Sequence, residues 1–428
     1  MKIRELKIVN FRGFQELIIK FPEDTNVIVF IGVNGAGKSA VLDAIGILLG
    51  ILFNKVRAKI PKVLNRDDIK LNTEKYLLEI AFFHSTVYSM SLNEPLPLEE
   101  KLTGSYEVFI DQIRKSSNYP LFIYHPINRI FNEENSNFDS RNKPDLFSPQ
   151  CYAYEKAFSD YSTSPCNIFD IFIRWFRQQE DLENQNKIAE QDFNIRSELL
   201  EAIRIAISKF LNKFQSAQFS NLRIERKQNI DNRFIPDQEF NISELCIDKD
   251  GQRFKFSQLS SGEQMVLFLV ADIARRLAIA NPILPNKLEG EGVILIDEID
   301  LHLHPQWQRR ILPALTSTFP NLQFIVTTHS PQVLSHLSRN SVILLEDHKI
   351  SEKEIYTEGR DSNSILQDAF HVPIYEKKYE QELRDIYYLI DDHKIDEAQS
   401  KLNRLIEKRG DGDREVMRMQ SYIDMADL

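Results

Sequence analysis

Lys38 and Ser39 end the run Gly32-Val33-Asn34-Gly35-Ala36-Gly37-Lys38-Ser39, which has the G-x-x-x-x-G-K-[ST] spacing of a phosphate-binding loop. Its glycines let backbone N–H groups converge on an anion with no Cβ in the way. A lysine at that position reaches terminal phosphates, and the serine hydroxyl is a ligand for Mg²⁺. A pair of acids, Asp297-Glu298, follows the apolar run Val293-Ile294-Leu295-Ile296. Asp297 fits a Mg²⁺ shell shared with Ser39, and Glu298 fits a general base that polarises an attacking water. His329 ends another apolar run, residues 324–328, where it could sense a γ-phosphate. Read singly, these are a glycine turn, a solvated acidic strand end and a structural histidine. Together they point to a nucleotide site.

Such groups need a scaffold that delivers them to one place. Residues 27–31 read as a strand, and Ala40-Val41-Leu42-Asp43-Ala44-Ile45 opens a helix whose positive end faces the same anion. Four apolar residues ahead of two acids describe a central parallel strand with both faces covered. Upstream, residues 3–9 and 17–21 form a strand pair joined by Asn10-Phe11-Arg12-Gly13-Phe14. Strands are also expected at 76–83, 106–113 and 121–124, with a proline-broken loop at 93–97. Residues 132–150, rich in Asn, Asp, Ser and Pro, read as a mobile insertion. The pattern is helical from 168 to 214, in two segments separated by the polar stretch 178–191, which predicts a small helical lobe. A strand pair about the Asp250-Gly251 turn follows, then a helix to about Ala280. The tail from about Tyr375 reads as two helices, one face carrying Leu383, Ile386, Tyr387 and Ile390 and the next Ala398, Leu402, Leu405 and Ile406.

The chain has 428 residues, 42% hydrophobic and 27% charged, enough for two or three domains with a real core. No apolar run is long enough to span a bilayer, so no membrane partner is expected. Cys151, Cys166 and Cys246 lie far apart with no C-x-x-C pair, which argues against disulfides and a cysteine metal site and favours a cytoplasmic setting. His302-x-His304 has the alternation of a metal loop but no evident third ligand, so it is not assigned a metal. A net charge of −10 means that nucleic acid must be met through a partner or a local basic patch. Residues 196–233 supply eight Lys or Arg against four Asp or Glu, with Arg223, Arg226 and Lys227 close together. A solvated surface helix and strand has the same composition and is the favoured reading.

One segment decides the class. Leu259-Ser260-Ser261-Gly262-Glu263-Gln264 opens a helix, so it is a second anion-binding end that one chain cannot bring to the same phosphates without distortion. With Asn10–Phe14, the phosphate loop, Leu295-Ile296-Asp297-Glu298-Ile299-Asp300-Leu301-His302-Leu303-His304-Pro305 and Thr328-His329-Ser330-Pro331, it resembles the RecF/SMC/OLD branch of ABC ATPases. Asp361-Ser362-Asn363-Ser364-Ile365-Leu366 and the acidic tail are similar to the PtuA ATPases of Septu antiphage systems, which also occur in some retron operons. The resemblance implies an α/β, two-lobed ABC-ATPase head with a helical insertion lobe and a short C-terminal helical hairpin. Its expected parts are lobe I at 1–125, the loop and helical insertion at 126–218, lobe II at 219–371 and the tail at 372–428.

The resemblance further implies ATP and Mg²⁺ as cofactors. Arg12, Asn34, Gly35, Ala36, Gly37, Lys38, Ser39 and Ala40 would lie at the nucleotide in one copy. Ser260, Ser261 and Gly262 would act on it from a second copy, with Asp300 in the turn where copies meet. Ser39 and Asp297 would hold the metal, Glu298 would be the catalytic base, and His329 and Lys38 would assist. Partners implied are a second copy of the chain, a small HNH nuclease like PtuB and, in a retron setting, a reverse transcriptase and its RNA. The family's Q-loop glutamine is not identifiable; residues 65–68 are the nearest candidate.

Three other functions draw on some of the same residues. A RecF-like DNA clamp would use the basic stretch directly. A self-contained OLD-type nuclease would need a Toprim domain after His329; Val342-Ile343-Leu344-Leu345-Glu346 begins like one and Asp411-Gly412-Asp413 supplies a D-x-D, but too few residues remain for that fold. A transporter ATPase fits worst, because residues 10–14 and Gly32-x-Asn34 resemble the RecF-like branch. The tail's apolar faces fit either a docking platform for a nuclease or an ordinary capping hairpin.

Overall fold

The computed structural model describes residues 1–56, 70, 76–83, 88–91, 101–104, 106–126, 153–154, 168–214, 218–228, 241–370, 372–373 and 375–426. The sequence readings at 65–68, 93–97 and 132–150 lie outside these. The chain divides into two compact units, Met1–Ile365 and Leu366–Leu428.

The first unit is built on three sheets. Strands β1 (Ile3–Phe11) and β2 (Phe14–Lys20) form the expected hairpin. They extend into an antiparallel sheet through β4 (Leu77–Phe82), β5 (Tyr88–Ser91) and β6 (Lys101–Gly104). The central sheet has β7 (Leu121–His125), β11 (Gly292–Ile296), β12 (Leu322–Thr327), β3 (Val27–Ile31) and β13 (Val342–Glu346) in parallel, with β14 (Lys349–Ile350) antiparallel at one edge. Every residue of β3, β11 and β12 is buried, which is why these strands read as unbroken apolar runs and not as alternating ones. Where strands run in parallel, all their carboxyl ends share one edge. The phosphate loop leaves β3, Asp297-Glu298 leave β11 and His329 leaves β12, and β12 lies between the other two. A third sheet joins β8 (Phe219–Gln228), β9 (Asn241–Lys249) and β10 (Gln252–Lys255), turning at Asp250 and Gly251, both with positive φ.

Helix α1 (Lys38–Val56) follows the phosphate loop. Residues 106–113, expected as a strand, belong instead to helix α2 (Tyr106–Lys115). Ile110 and Ile113 are buried while Asp111 and Arg114 are exposed, a three-residue repeat that the short apolar run disguised. Helix α3 (Ile168–Ala189) continues through the polar stretch expected to interrupt it. Glu183 sits buried inside that stretch and binds Lys187 at 2.7 Å and the N–H of Ser197 at 2.8 Å. An ion pair with a hydrogen-bonded second oxygen lets a charged residue occupy a buried face, which periodicity of apolar residues does not register. Helix α4 (Glu198–Leu211) packs against α5 (Ser261–Ala280) and α6 (Pro305–Thr318). The short helices α7 (Pro331–Leu334) and α8 (Ser362–Phe370) follow.

The second unit holds α9 (Lys377–Asp391), α10 (Ile395–Arg409) and α11 (Arg414–Ala426), three helices where two were expected. Gly410 ends α10 with φ 85°, and Asp413 accepts the N–H groups of Glu415 and Val416 at 3.0 and 3.2 Å to start α11. The Asp411-Gly412-Asp413 run is therefore a helix break and cap. Leu383, Ile386, Ala398, Leu402 and Leu405, whose faces fit either a docking platform or a capping hairpin, pack on one another and on Val416, Met419 and Ile423. They are this unit's own core.

Candidate functional site

The phosphate loop owes its path to glycine. Gly32, Gly35 and Gly37 all have positive φ, at 144°, 83° and 99°. A Cβ on Gly32 would lie 2.2 Å from the Leu345 carbonyl oxygen, and one on Gly37 2.5 Å from the Phe14 ring. Strand β13 and the β1–β2 hairpin thus press on the loop from outside, and only glycine fits. Buried Lys38 turns its ammonium back onto the carbonyls of Gly32 and Val33, 3.0 Å each. Burial lowers its pKa, and Asp297 and Glu298 oppose that fall by their negative charge. Those two acids therefore share the field of the lysine although they lie some 260 residues away along the chain.

The acids themselves are held by the neighbouring strand. The Thr327 hydroxyl donates to Asp297 Oδ1 and accepts the N–H of Glu298 at 2.8 Å. Thr328 donates to Asp300 Oδ1, and the Ile299 N–H reaches the Thr327 carbonyl at 3.0 Å. Glu298 is left-handed, with φ 48°, a conformation that persists in a non-glycine residue when its surroundings impose it. His329 comes next on the same edge. Burial depresses its pKa, Lys38 adds to the fall, and Asp300, Glu298 and Asp297 oppose it. The imidazole is neutral above the ordinary histidine range.

Arg12 is left-handed too, with φ 47°, and its guanidinium pairs with Asp43 of α1, which also accepts from Tyr124 Oη at 2.7 Å. It braces the helix that carries Lys38 and Ser39. His348 was not singled out from the sequence. Asp347 and His348, both with positive φ, form the β13–β14 turn and set the imidazole edge-on to Phe14, 5.3 Å between ring centres, against Gly13. No sequence signal marks it, since a turn of this kind carries no motif.

Gly35, Ala36, Gly37, Lys38, Ser39, Asp297, Glu298, Asp300 and His329 thus converge on one edge of the central sheet, with Asn34 and Ala40 in the same loop and helix start. Ser39 and Asp297 offer a hydroxyl and a carboxylate, the oxygen donors that suit a hard ion such as Mg²⁺, and Gly35, where a Cβ would meet nothing within 4 Å, leaves the tip of the loop open.

Ser260, Ser261 and Gly262 are not part of that cluster. They line a separate cleft of about 570 Å³ with Lys249, Glu263, His302, Leu303, His304 and Trp307, which includes no residue of the phosphate loop. Ser260 caps α5 in a reciprocal box: its N–H and hydroxyl donate to Glu263 Oε2 at 3.0 and 2.9 Å, and Lys249 holds Oε1 at 2.7 Å. A Cβ on Gly262 would meet the His302 carbonyl at 2.6 Å, so this glycine admits the loop that begins at Asp297. His304 caps α6, its Nδ1 accepting from Gln306 N–H at 3.3 Å. Of the basic patch, Arg223 is committed to Asp248 and Glu225 at 2.8 and 2.9 Å, while Arg226 and Lys227 lie farther along β8. Among the described residues no helix is long and apolar enough to cross a membrane.

The chain is 28% identical to the Retron Ec83 probable ATPase of Escherichia coli, over 87% of this chain and 76% of that one. It is 23% identical to a Septu protein PtuA of Bacillus thuringiensis, over 91% of this chain and 93% of that one. Among solved structures, the SMC head domain from Thermotoga maritima matches 83% of this chain and 100% of its own, at 15% identity and a TM-score of 0.42. Residues 27–335 match the family described as AAA domain, putative AbiEii toxin, Type IV TA system, and the chain belongs to that AAA family.

Proposed function

We propose that the chain is an ATPase of the Septu and retron defence type in which ATP joins two copies, and that this joining controls a separate nuclease. The carrying observation is the division of the anion-binding ends: the phosphate loop sits with the acids and His329, whereas the Ser260–Gly262 helix end lines its own cleft. Lys38 and the loop N–H groups bind the phosphates. Ser39 and Asp297 would hold Mg²⁺, which when bound would offset charge on the phosphate oxygens. Glu298 takes a proton from the attacking water, and neutral His329 donates to the γ-phosphate. Ser260 and Gly262 of the second copy complete the pocket, with Asp300 at the junction.

The likeness to a Septu PtuA and a retron ATPase supports the defence setting. An HNH nuclease partner rests on that likeness, as does a reverse transcriptase with its RNA. The OLD-type reading loses its main support, because Val342–Glu346 is a strand of the central sheet and Asp413 caps a helix. A RecF-like clamp has less to stand on, since Arg223 is bound to carboxylates.

Mixing tests the shared site. Lys38→Ala lacks one half of every pocket and Ser260→Arg the other, so each alone should be inactive. A mixture should regain hydrolysis through pairs holding one intact pocket. Activity in Ser260→Arg alone would show that each chain is self-sufficient.

A further inference from the structure

We infer that Thr327 is a positioning residue for hydrolysis: its hydroxyl fixes both the metal-binding acid and the base, and Thr328 extends the same hold to Asp300. The inference rests on the ATPase reading of this site. Thr327 and Thr328 are buried, at 1% and 0% exposure, so their hydroxyls face protein and not water. One oxygen does two things at Thr327. It donates to Asp297 Oδ1, which orients that carboxylate, and it accepts the Glu298 N–H, which helps keep Glu298 in its left-handed turn. Alanine or valine at 327 would remove both contacts at once. The hold is braced from behind. Ser330 N–H donates to Thr328 Oγ1 at 3.0 Å, Ser330 Oγ donates to Gln308 Oε1 at 2.7 Å, and Gln308 Nε2 donates to the Leu303 carbonyl at 2.9 Å. The segment carrying His329 and the turn carrying the acids are therefore one hydrogen-bonded body.

A group that orients a metal ligand without touching the metal typically changes affinity or rate by about 10–100-fold when lost. The test compares Thr327→Ser with Thr327→Ala, which give up the same methyl and differ only in the hydroxyl. The readouts are steady-state hydrolysis and the binding of a fluorescent ATP analogue as Mg²⁺ is raised. Thr327→Ser should stay within about twofold of the parent. Thr327→Ala should lose about 10–100-fold in kcat and need roughly tenfold more Mg²⁺ for half-maximal tightening of nucleotide, while affinity without Mg²⁺ stays equal in all three. If serine and alanine behave alike in both readouts while the parent binds and hydrolyses ATP, the inference is overturned. A parent chain that binds no ATP overturns the ATPase reading, and this inference with it.

Discussion

Two charged clusters show how differently this protein uses buried ions. In the middle of α5, Asp272 is fully buried between Arg275 and Arg276, with contacts of 2.7 Å to each, and Arg276 also donates to the Ala153 carbonyl. Burial alone would raise the pKa of Asp272, but the two guanidiniums outweigh it and hold the carboxyl far below its usual range. At the sheet edge, by contrast, Lys38 is buried on carbonyl oxygens and its pKa is lowered, and threonine hydroxyls donate to Asp297 and Asp300. The first cluster is paired within itself. The second is organised by neutral groups, carbonyls around the lysine and threonine hydroxyls on two of the acids, which fix the position of a site's polar atoms.

Breaking the paired cluster should have the largest effect. Asp272→Ala leaves two guanidiniums buried without their carboxylate and should cost about 3–5 kcal/mol of stability, measured by urea unfolding. Because the folded pKa is depressed, the stabilisation is present above the ordinary carboxyl range and lost only as acid protonates Asp272. A loss below about 1 kcal/mol would place this cluster among the weak surface pairs.

At the sheet edge the pattern should reverse, with activity falling and stability kept. Glu298→Gln should slow hydrolysis by about 10²–10⁴-fold with nucleotide still bound; hydrolysis at the parent rate would remove its role as base. Lys38→Ala should abolish ATP binding while the melting temperature stays level or rises, since a burial-strained ammonium is removed. A sharp drop in melting temperature would make Lys38 a structural residue like Asp272.

The smallest effect concerns pH. The folded chain holds His329 with a depressed pKa, so the unfolded chain takes up that proton first as pH falls through about 6.5. Stability should therefore decline more steeply below pH 6.5 in the parent than in His329→Gln, by denaturant titration from pH 7 to 5. Superimposable profiles would mean that the imidazole is not strained by its surroundings.

What the sequence made legible follows the same division. Phosphate loop, acid pair and histidine were readable because each follows a fully buried parallel strand, whose unbroken apolar run announces both strand and terminus. Thr327 was not, since within an apolar run it reads as an ordinary β-branched strand residue, and Thr328 was legible as part of the Thr328–Pro331 motif but not for what its hydroxyl holds. The polar stretch 178–191 hides a continuous helix because Glu183 is buried by pairing, and the third tail helix starts at a side-chain cap, Asp413, that an apolar pattern does not register. Where burial is achieved through hydrogen bonds and ion pairs, a pattern of apolar residues carries no trace of it.

The central claim is that ATP joins two copies through half-pockets neither can complete. Sedimentation velocity of Glu298→Gln with and without ATP and Mg²⁺ tests it most directly. The account predicts that the particle mass doubles when ATP is added, and that the doubling disappears when Ser260→Arg is placed in every copy. An unchanged mass with ATP demonstrably bound would contradict it.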